Sequence, residues 1–244
     1  MHVLVILAIA GVIAGLINGV VGGASLMTFP LLVATGLTPV QAAVTNIVGM
    51  GGGNSFALLP HARARRPLFR RWLRPAAITG FGAVIGATLL RVSPPHVFGA
   101  IVPVLVALAT ITMLLPRPAL QPHGSGHAHT NWRLWGSGVY CGFFGAGMGV
   151  ISIAVLARDG RLDMREVAII KNLVIATANT VATVYFLTLG GVDIPRAATL
   201  FVSSGVGGFL SSRVIDRSNP ELLRWLVVLI GVASSVYLTL RLFR

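Results

Sequence analysis

The chain has 244 residues, 55% of them hydrophobic and only 10% charged, with a mean hydropathy of +0.85 and a formal net charge of +13. Soluble domains carry roughly 25% charged residues, so this composition excludes a water-soluble globular protein and defines an all-α polytopic membrane protein. The arginines sit between apolar runs with no interleaved aromatic stripe, which excludes a nucleic-acid surface and reads as positive-inside topology.

In chain order, Val3 to Val21 is apolar for its whole length and just long enough to span. Ala8-Ile9-Ala10 imitates a signal-cleavage site, but no basic n-region precedes it, so a retained segment is expected. Gly22-Gly23 then breaks the run, Leu26 to Thr35 resumes it, and Gly36-Leu37-Thr38-Pro39 turns the chain. As one straight helix, 3–35 would measure about 50 Å against a hydrocarbon core of about 30 Å. The expectation is a helical hairpin dipping into the bilayer, with a full crossing of its first arm as the alternative.

A second span covers about Val40–Pro60 and carries Gly49, Gly51, Gly52 and Gly53, which would let a neighbouring helix approach closely. His61 to Arg74 holds six arginines, the strongest cytoplasmic marker in the chain. Trp72–Leu90 and His96–Leu115 are the next spans; Gly80, Gly82 and Gly86 mark a tight contact in the first of them. Residues 116–131 form a polar linker with His123, His127 and His129. Lacking any carboxylate or cysteine, these histidines read as solvated linker, and no metal or other cofactor is expected. Cys141 is the single cysteine and excludes an internal disulfide.

The second half repeats the plan. Gly15-Leu16-Ile17-Asn18-Gly19-Val20-Val21-Gly22-Gly23-Ala24-Ser25-Leu26 returns 123 positions later as Gly138-Val139-Tyr140-Cys141-Gly142-Phe143-Phe144-Gly145-Ala146-Gly147-Met148-Gly149. Spans follow at about Val167–Leu189, Ile194–Ser212 and Leu222–Leu240. The domain reading is therefore a first transmembrane repeat at 1–115, the linker, and a second repeat at 132–244, each a broken hairpin plus three helices. Matched loops reverse their arginine bias: 36–39 has none where Arg158, Arg161 and Arg165 stand, and 61–74 has six where Arg196 stands alone. Arg91 likewise faces Arg213 and Arg217. Inverted repeats follow from that pattern; Arg241 and Arg244, which would lie outside, count against it, and four parallel spans per half is the alternative.

Paired glycine breaks in two halves of a membrane protein point to a transporter's binding site, because freed backbone groups survive in lipid only around a protein-lined or wet cavity. All six acidic residues, Asp159, Asp163, Glu166, Asp193, Asp216 and Glu221, lie at or near loops. A hydrolase or a carboxylate-based cation pump has nothing to work with, and no enzymatic activity is expected. Lys171 is the exception, an ionisable group inside a span with no helical neighbour to neutralise it. It reads as a cation offered to an anion, supported by Asn172 and Asn179, or as a lysine snorkelling to the interface. Thr45-Asn46 and Asn54 are the first-half equivalents, with Asn46 matching Lys171 or Asn172 according to where a one-residue gap falls; asparagines that merely join helices are the bland alternative. Gly22, Gly23 and Ser25, with Gly145 and Gly147, would aim helix N-terminal N–H groups at the same anion.

On these residues the sequence resembles the sulfite exporter TauE/SafE family: GLINGVVGGASLMTFPLL and GVYCGFFGAGMGVISIAVL, each followed by a turn and an alanine-rich helix start, TPVQAAVTN and DMREVAIIKN. The likeness covers nearly the whole chain, although the second copy lacks a counterpart to Pro30 and carries Lys171-Asn172 where a small or hydroxyl residue is common. The resemblance implies movement of small sulfur-containing or organic anions such as sulfite or sulfonates, with no nucleotide-binding domain. The expected partners are that small anion and the lipid bilayer of a cell (inner) membrane; the glycine-rich faces permit a homodimer without requiring one. The rival functions are a non-transporting membrane assembly subunit and an anion channel.

Overall fold

A computed structural model describes residues 2–114, 126–214 and 220–242; among them are ten α-helices, one 3₁₀ turn and no strand. The first half contains α1 (His2–Val20), α2 (Ser25–Ala34), α3 (Pro39–Phe56), the 3₁₀ turn Leu59–His61, α4 (Arg66–Val92) and α5 (Pro95–Leu114). The second contains α6 (Gly126–Phe143), α7 (Met148–Ala157), α8 (Met164–Leu189), α9 (Ile194–Val214) and α10 (Pro220–Leu242). The all-helical membrane fold expected from composition is the fold observed. Five helices, α1, α4, α5, α8 and α10, are long and apolar enough to cross a bilayer. Helix α3 is diluted by glycine and asparagine, which it tolerates because it packs between α8 and α9 with most of its side chains buried in protein. Two boundaries differ from expectation. Helix α6 begins at Gly126, inside the stretch read as linker, and α4 begins at Arg66, inside the arginine run. His123, Asp216, Arg217 and Arg244 lie outside the described residues.

Matching caps set the register of the two halves. Thr38 accepts a hydrogen bond from Gln41 N at 3.3 Å and Asp163 accepts one from Glu166 N at 2.7 Å, with the Gln41 and Glu166 side chains reaching back to the cap amides. Aligning the two capping boxes puts Asn46 opposite Lys171 and Asn54 opposite Asn179.

Glycines dictate which helices touch. A Cβ on Gly15 would sit 2.0 Å from the Ser204 carbonyl oxygen, Gly11 lies on Ser203 and Gly19 on Ser211, so α1 and α9 run side by side in one direction. Helices α4 and α6 repeat this arrangement, with Gly82 on Trp135, Gly86 on Val139 and Gly142 on Ala83. Gly49 and Gly53 admit Leu200 and Ser204 of α9, as the glycine run in that span predicts. Helices α5 and α10 pair head to tail: Gly231 meets Thr110, Arg224 donates to the Met113 carbonyl and Ser235 to the Pro103 carbonyl.

Each broken helix returns to the face it came from. Thr130, near the start of α6, donates to Asp159, just past α7, at 2.6 Å. Arg196, at the start of α9, reaches the Thr35 carbonyl at the end of α2, and α1 starts on that same side because it runs with α9. The α6–α7 hairpin opens toward the arginine-rich loops; the α1–α2 hairpin opens toward the opposite face. Large apolar side chains such as Phe81, Val92 and Leu229 remain exposed on the outside of the bundle, as a lipid-facing belt requires.

Candidate functional site

The two glycine breaks meet at the centre of the molecule. Gly22 (φ +85°) and Gly149 lie back to back, so that a Cβ on either would come within 2.7 Å of the other's Cα. Gly23, Gly145 and Gly147 also have positive φ, a conformation that costs little only without a side chain. Neither α2 nor α7 has a side-chain cap at this end; the carbonyls of Gly23, Ala24, Gly145 and Gly147 take the amides of Leu26, Met27, Met148 and Val150 instead, and the positive ends of both helix dipoles lie at the junction.

Around this junction lies a closed chamber of about 10 Å³, room for roughly one water. Asn18, Asn46, Asn54 and Asn179 line it together with Gly23, Ser25, Gly145 and Gly149; Ile47, Met50 and Ile175 supply apolar wall. The amides are held in pairs. Asn18 donates to Asn54 Oδ1 at 3.0 Å, Thr28 donates to Asn46 Oδ1 at 2.5 Å, and Cys141 donates to Asn179 Oδ1 at 3.4 Å. Cys141 is the positional counterpart of Asn18, so one contact is built twice with different donors.

Toward the arginine-rich face lies a much larger vestibule of about 1250 Å³. Arg133, Arg158, Arg165, Arg224 and His61 stand on its wall, and no carboxylate does among the described residues. Burial, with the charges of Arg165 and Arg65, holds the His61 imidazole below its ordinary value of 6.5. At the inner end are Gly19, Val20 and Asn172, whose buried Oδ1 has no hydrogen-bond partner among the described residues. Chamber and vestibule are separated by the last turn of α1, with Asn18 on one side and Gly19 on the other.

Lys171 holds that partition. It is completely buried, and its ammonium donates to the Asn18 carbonyl at 2.6 Å and the Gly19 carbonyl at 3.3 Å. These acceptors are the free carbonyls at the negative end of the α1 dipole, a favourable place for a cation. The lysine therefore neither snorkels nor projects into the chamber.

The structure brings Asn46, Asn54, Asn179, Gly23, Ser25 and Gly145 together around the chamber, puts Gly22 on its glycine seam, and places Asn172 at the end of the vestibule. Thr45 does not join them: its hydroxyl accepts the Asp193 amide at 3.1 Å, next to the loop before α9, because it points away from its neighbour Asn46. Gly147 packs instead on Ala109 of α5. Asn18 and Cys141 are not among the site residues expected from the sequence. The signal for Asn18 was an amide inside an apolar run, and for Cys141 its identical register in the second copy.

Paired broken hairpins around a polar chamber beneath a basic vestibule fit a membrane transporter. The comparisons agree. The profile of the sulfite exporter TauE/SafE family matches residues 7–238, and the chain belongs to that family. It is 29% identical to a Sinorhizobium "Probable membrane transporter protein ORF9", over 97% of this chain and 92% of that protein. It is 25% identical to the Escherichia coli K12 "Probable membrane transporter protein YfcA", over 96% and 88% respectively. A "Probable membrane transporter protein" of Haemophilus influenzae is 26% identical over 96% of this chain and 94% of its own length.

Proposed function

We propose that the protein is a secondary transporter that moves a small oxyanion, of the sulfite or sulfonate class, across the cell membrane by alternating access between two inverted repeats. One observation carries this reading: a vestibule lined by arginines, with no carboxylate on its wall among the described residues, ends one helical turn from a chamber of amides and helix N-termini. The vestibule gathers anions by field, and the chamber offers N–H donors for dehydrated oxygens. The anionic partner, the inner-membrane location and the division into repeats at 1–115 and 132–244 belong to the same proposal. With room for about one water, the chamber must widen to take an oxyanion.

The hairpins supply the means. The two hairpins meet at the Gly22–Gly149 seam and at the edge-to-face contact of Phe29 with Phe144, whose ring centroids are 5.2 Å apart, so a shift of α1–α2 against α6–α7 can exchange access without breaking either hairpin. Opposite the vestibule, the Asp193–Arg196 ion pair, with Arg196 on the Thr35 carbonyl and the Asp193 amide on Thr45, keeps the other face closed.

The test is flux in proteoliposomes containing only this protein, comparing sulfite, methanesulfonate and thiosulfate. Saturable uptake with counterflow is the expected result. Uptake that does not saturate identifies a channel, and absence of any flux identifies a non-transporting subunit.

A further inference from the structure

Between the chamber and the vestibule one ionisable group is bonded to the partition, and its surroundings constrain how the carrier can move. Lys171 is 0% exposed and makes two hydrogen bonds, both to carbonyls at the end of α1; its third N–H meets no acceptor among the described residues. Among the described residues no carboxylate compensates it. Asp159 pairs with Arg161, Glu166 with Arg65, Asp193 with Arg196 and Glu221 with Arg224, while Asp163 caps α8. Helices α1, α3, α4, α6 and α7 all pack on α8. Between Val3 and Val20, α1 has no titratable side chain, and α3 and α7 have none. Helix α6 brings Arg133, Tyr140 bonded to the Ala146 carbonyl and Cys141 bonded to Asn179. Helix α4 brings Arg66, Arg70, Arg71 and Arg74 toward the vestibule face and Arg91 toward the other, and the vestibule adds His61, Arg158, Arg165 and Arg224.

Opening the partition means drawing Asn18 and Gly19 away from Lys171. An ammonium left there without acceptors or a counter-charge costs several kcal/mol. Two routes avoid that cost: an anion takes the place of the carbonyls, or the nitrogen gives up its proton. Resting on the transport reading above, we propose that Lys171 is the coupling group, making the protein a proton–anion symporter. The loaded carrier moves as an ammonium–anion pair, and the empty carrier returns with a neutral amine. On the entry side the amine takes a proton from water, forming one N–H bond. On the exit side that bond breaks, and proton and anion leave together. One proton accompanies each monovalent anion, and no net charge crosses.

The test uses the full chain in pyranine-loaded proteoliposomes with methanesulfonate as the probe, because its single charge does not titrate. Wild-type uptake should acidify the lumen by about one proton per anion. Each unit of imposed pH gradient should support about a tenfold accumulation ratio, and a potassium–valinomycin potential should support none. Arginine stays protonated, so Lys171→Arg should retain exchange of labelled for unlabelled anion while net uptake falls at least about tenfold. A merely structural lysine would not separate these two activities. Wild-type flux that moves no protons, or that follows the potential, overturns the proposal while leaving the transporter standing; so does Lys171→Arg with wild-type net uptake. If wild-type protein moves none of the tested anions, the transport reading fails and the coupling proposal falls with it. The wild-type measurements decide the matter alone if the variant does not fold.

Discussion

The chamber and the vestibule lie one helical turn apart and are built from opposite chemistry. The chamber holds about one water between paired amides and glycine backbone, with Lys171 bonded behind its wall. The vestibule is more than a hundred times larger and carries its cations around its mouth. Charges at a wet opening act at range and are screened by salt, whereas short-range donors in a dry pocket act only on a guest that has lost its water. On the transport reading proposed above, attraction belongs to one region and recognition to the other, and each can be perturbed alone.

The largest effect is expected at the seam. Gly22→Val forces a β-branched residue into φ +85° and drives its Cβ to 2.7 Å from the Gly149 Cα. Strain and overpacking together cost roughly 2–6 kcal/mol, so detergent-solubilised protein should lose most of its thermal stability and all transport. Gly36→Ala is the control: Gly36 shares the positive φ (+95°) but has open space around it, and should cost only about 1 kcal/mol. Equal losses at both positions would mean that backbone conformation alone, and not the close approach of the two breaks, matters at Gly22.

Next come the amide pairs. Asn18→Ala removes the donor to Asn54 and strands a buried oxygen, costing about 1–3 kcal/mol. Its counterpart Cys141→Ala removes only a weak thiol donor, and should cost less. The measurement is the midpoint of thermal unfolding together with the KM for methanesulfonate. If the chamber recognises substrate, Asn18→Ala raises KM; a change in stability with no change in KM would reduce the amides to helix glue.

Much of this was legible in the sequence because it rests on local chemistry. The glycine runs named the breaks, where α1 gives way to α2 and α6 to α7. Asn46, Asn54 and Asn179 could be placed on helix faces by spacing alone. What spacing could not give was the third dimension. Lys171 looked unpartnered because its partners are carbonyls 152 and 153 residues away, and no side-chain pattern announces the free end of a helix. Thr45 adjoins Asn46 in sequence, but its hydroxyl serves the loop before α9. Asn18 lies inside a glycine pattern that masks it as a polar residue of an apolar run.

In the vestibule the expected effects are smaller and depend on salt. Arg158→Gln with Arg165→Gln removes two cations that have no ion-pair partner among the described residues. At low ionic strength, uptake at subsaturating anion should fall on the order of tenfold. Near 1 M salt, where screening acts within about 3 Å, the variant and the parent should converge. A loss that persists at high salt, or one confined to the saturated rate, would place recognition in the vestibule and break the division between the two regions.

The smallest effect separates the regions by pH. His61 stands on the vestibule wall, where burial and the neighbouring Arg165 and Arg65 charges hold its imidazole below the ordinary 6.5. The folded protein therefore binds that proton less readily than the unfolded chain. Between 6.5 and the lower folded value the unfolded state carries more protons, so stability falls as pH drops through this window and returns as pH rises above it. His61→Gln should flatten that slope without altering stability near pH 8. The same protonation adds a cation to the vestibule, so wild-type anion capture at low salt should strengthen modestly on acidification and do so less in the variant. Because His61 is absent from the chamber wall, the KM in high salt should be the same for both proteins at every pH; a pH-dependent difference there would mean that the vestibule residues touch the bound anion.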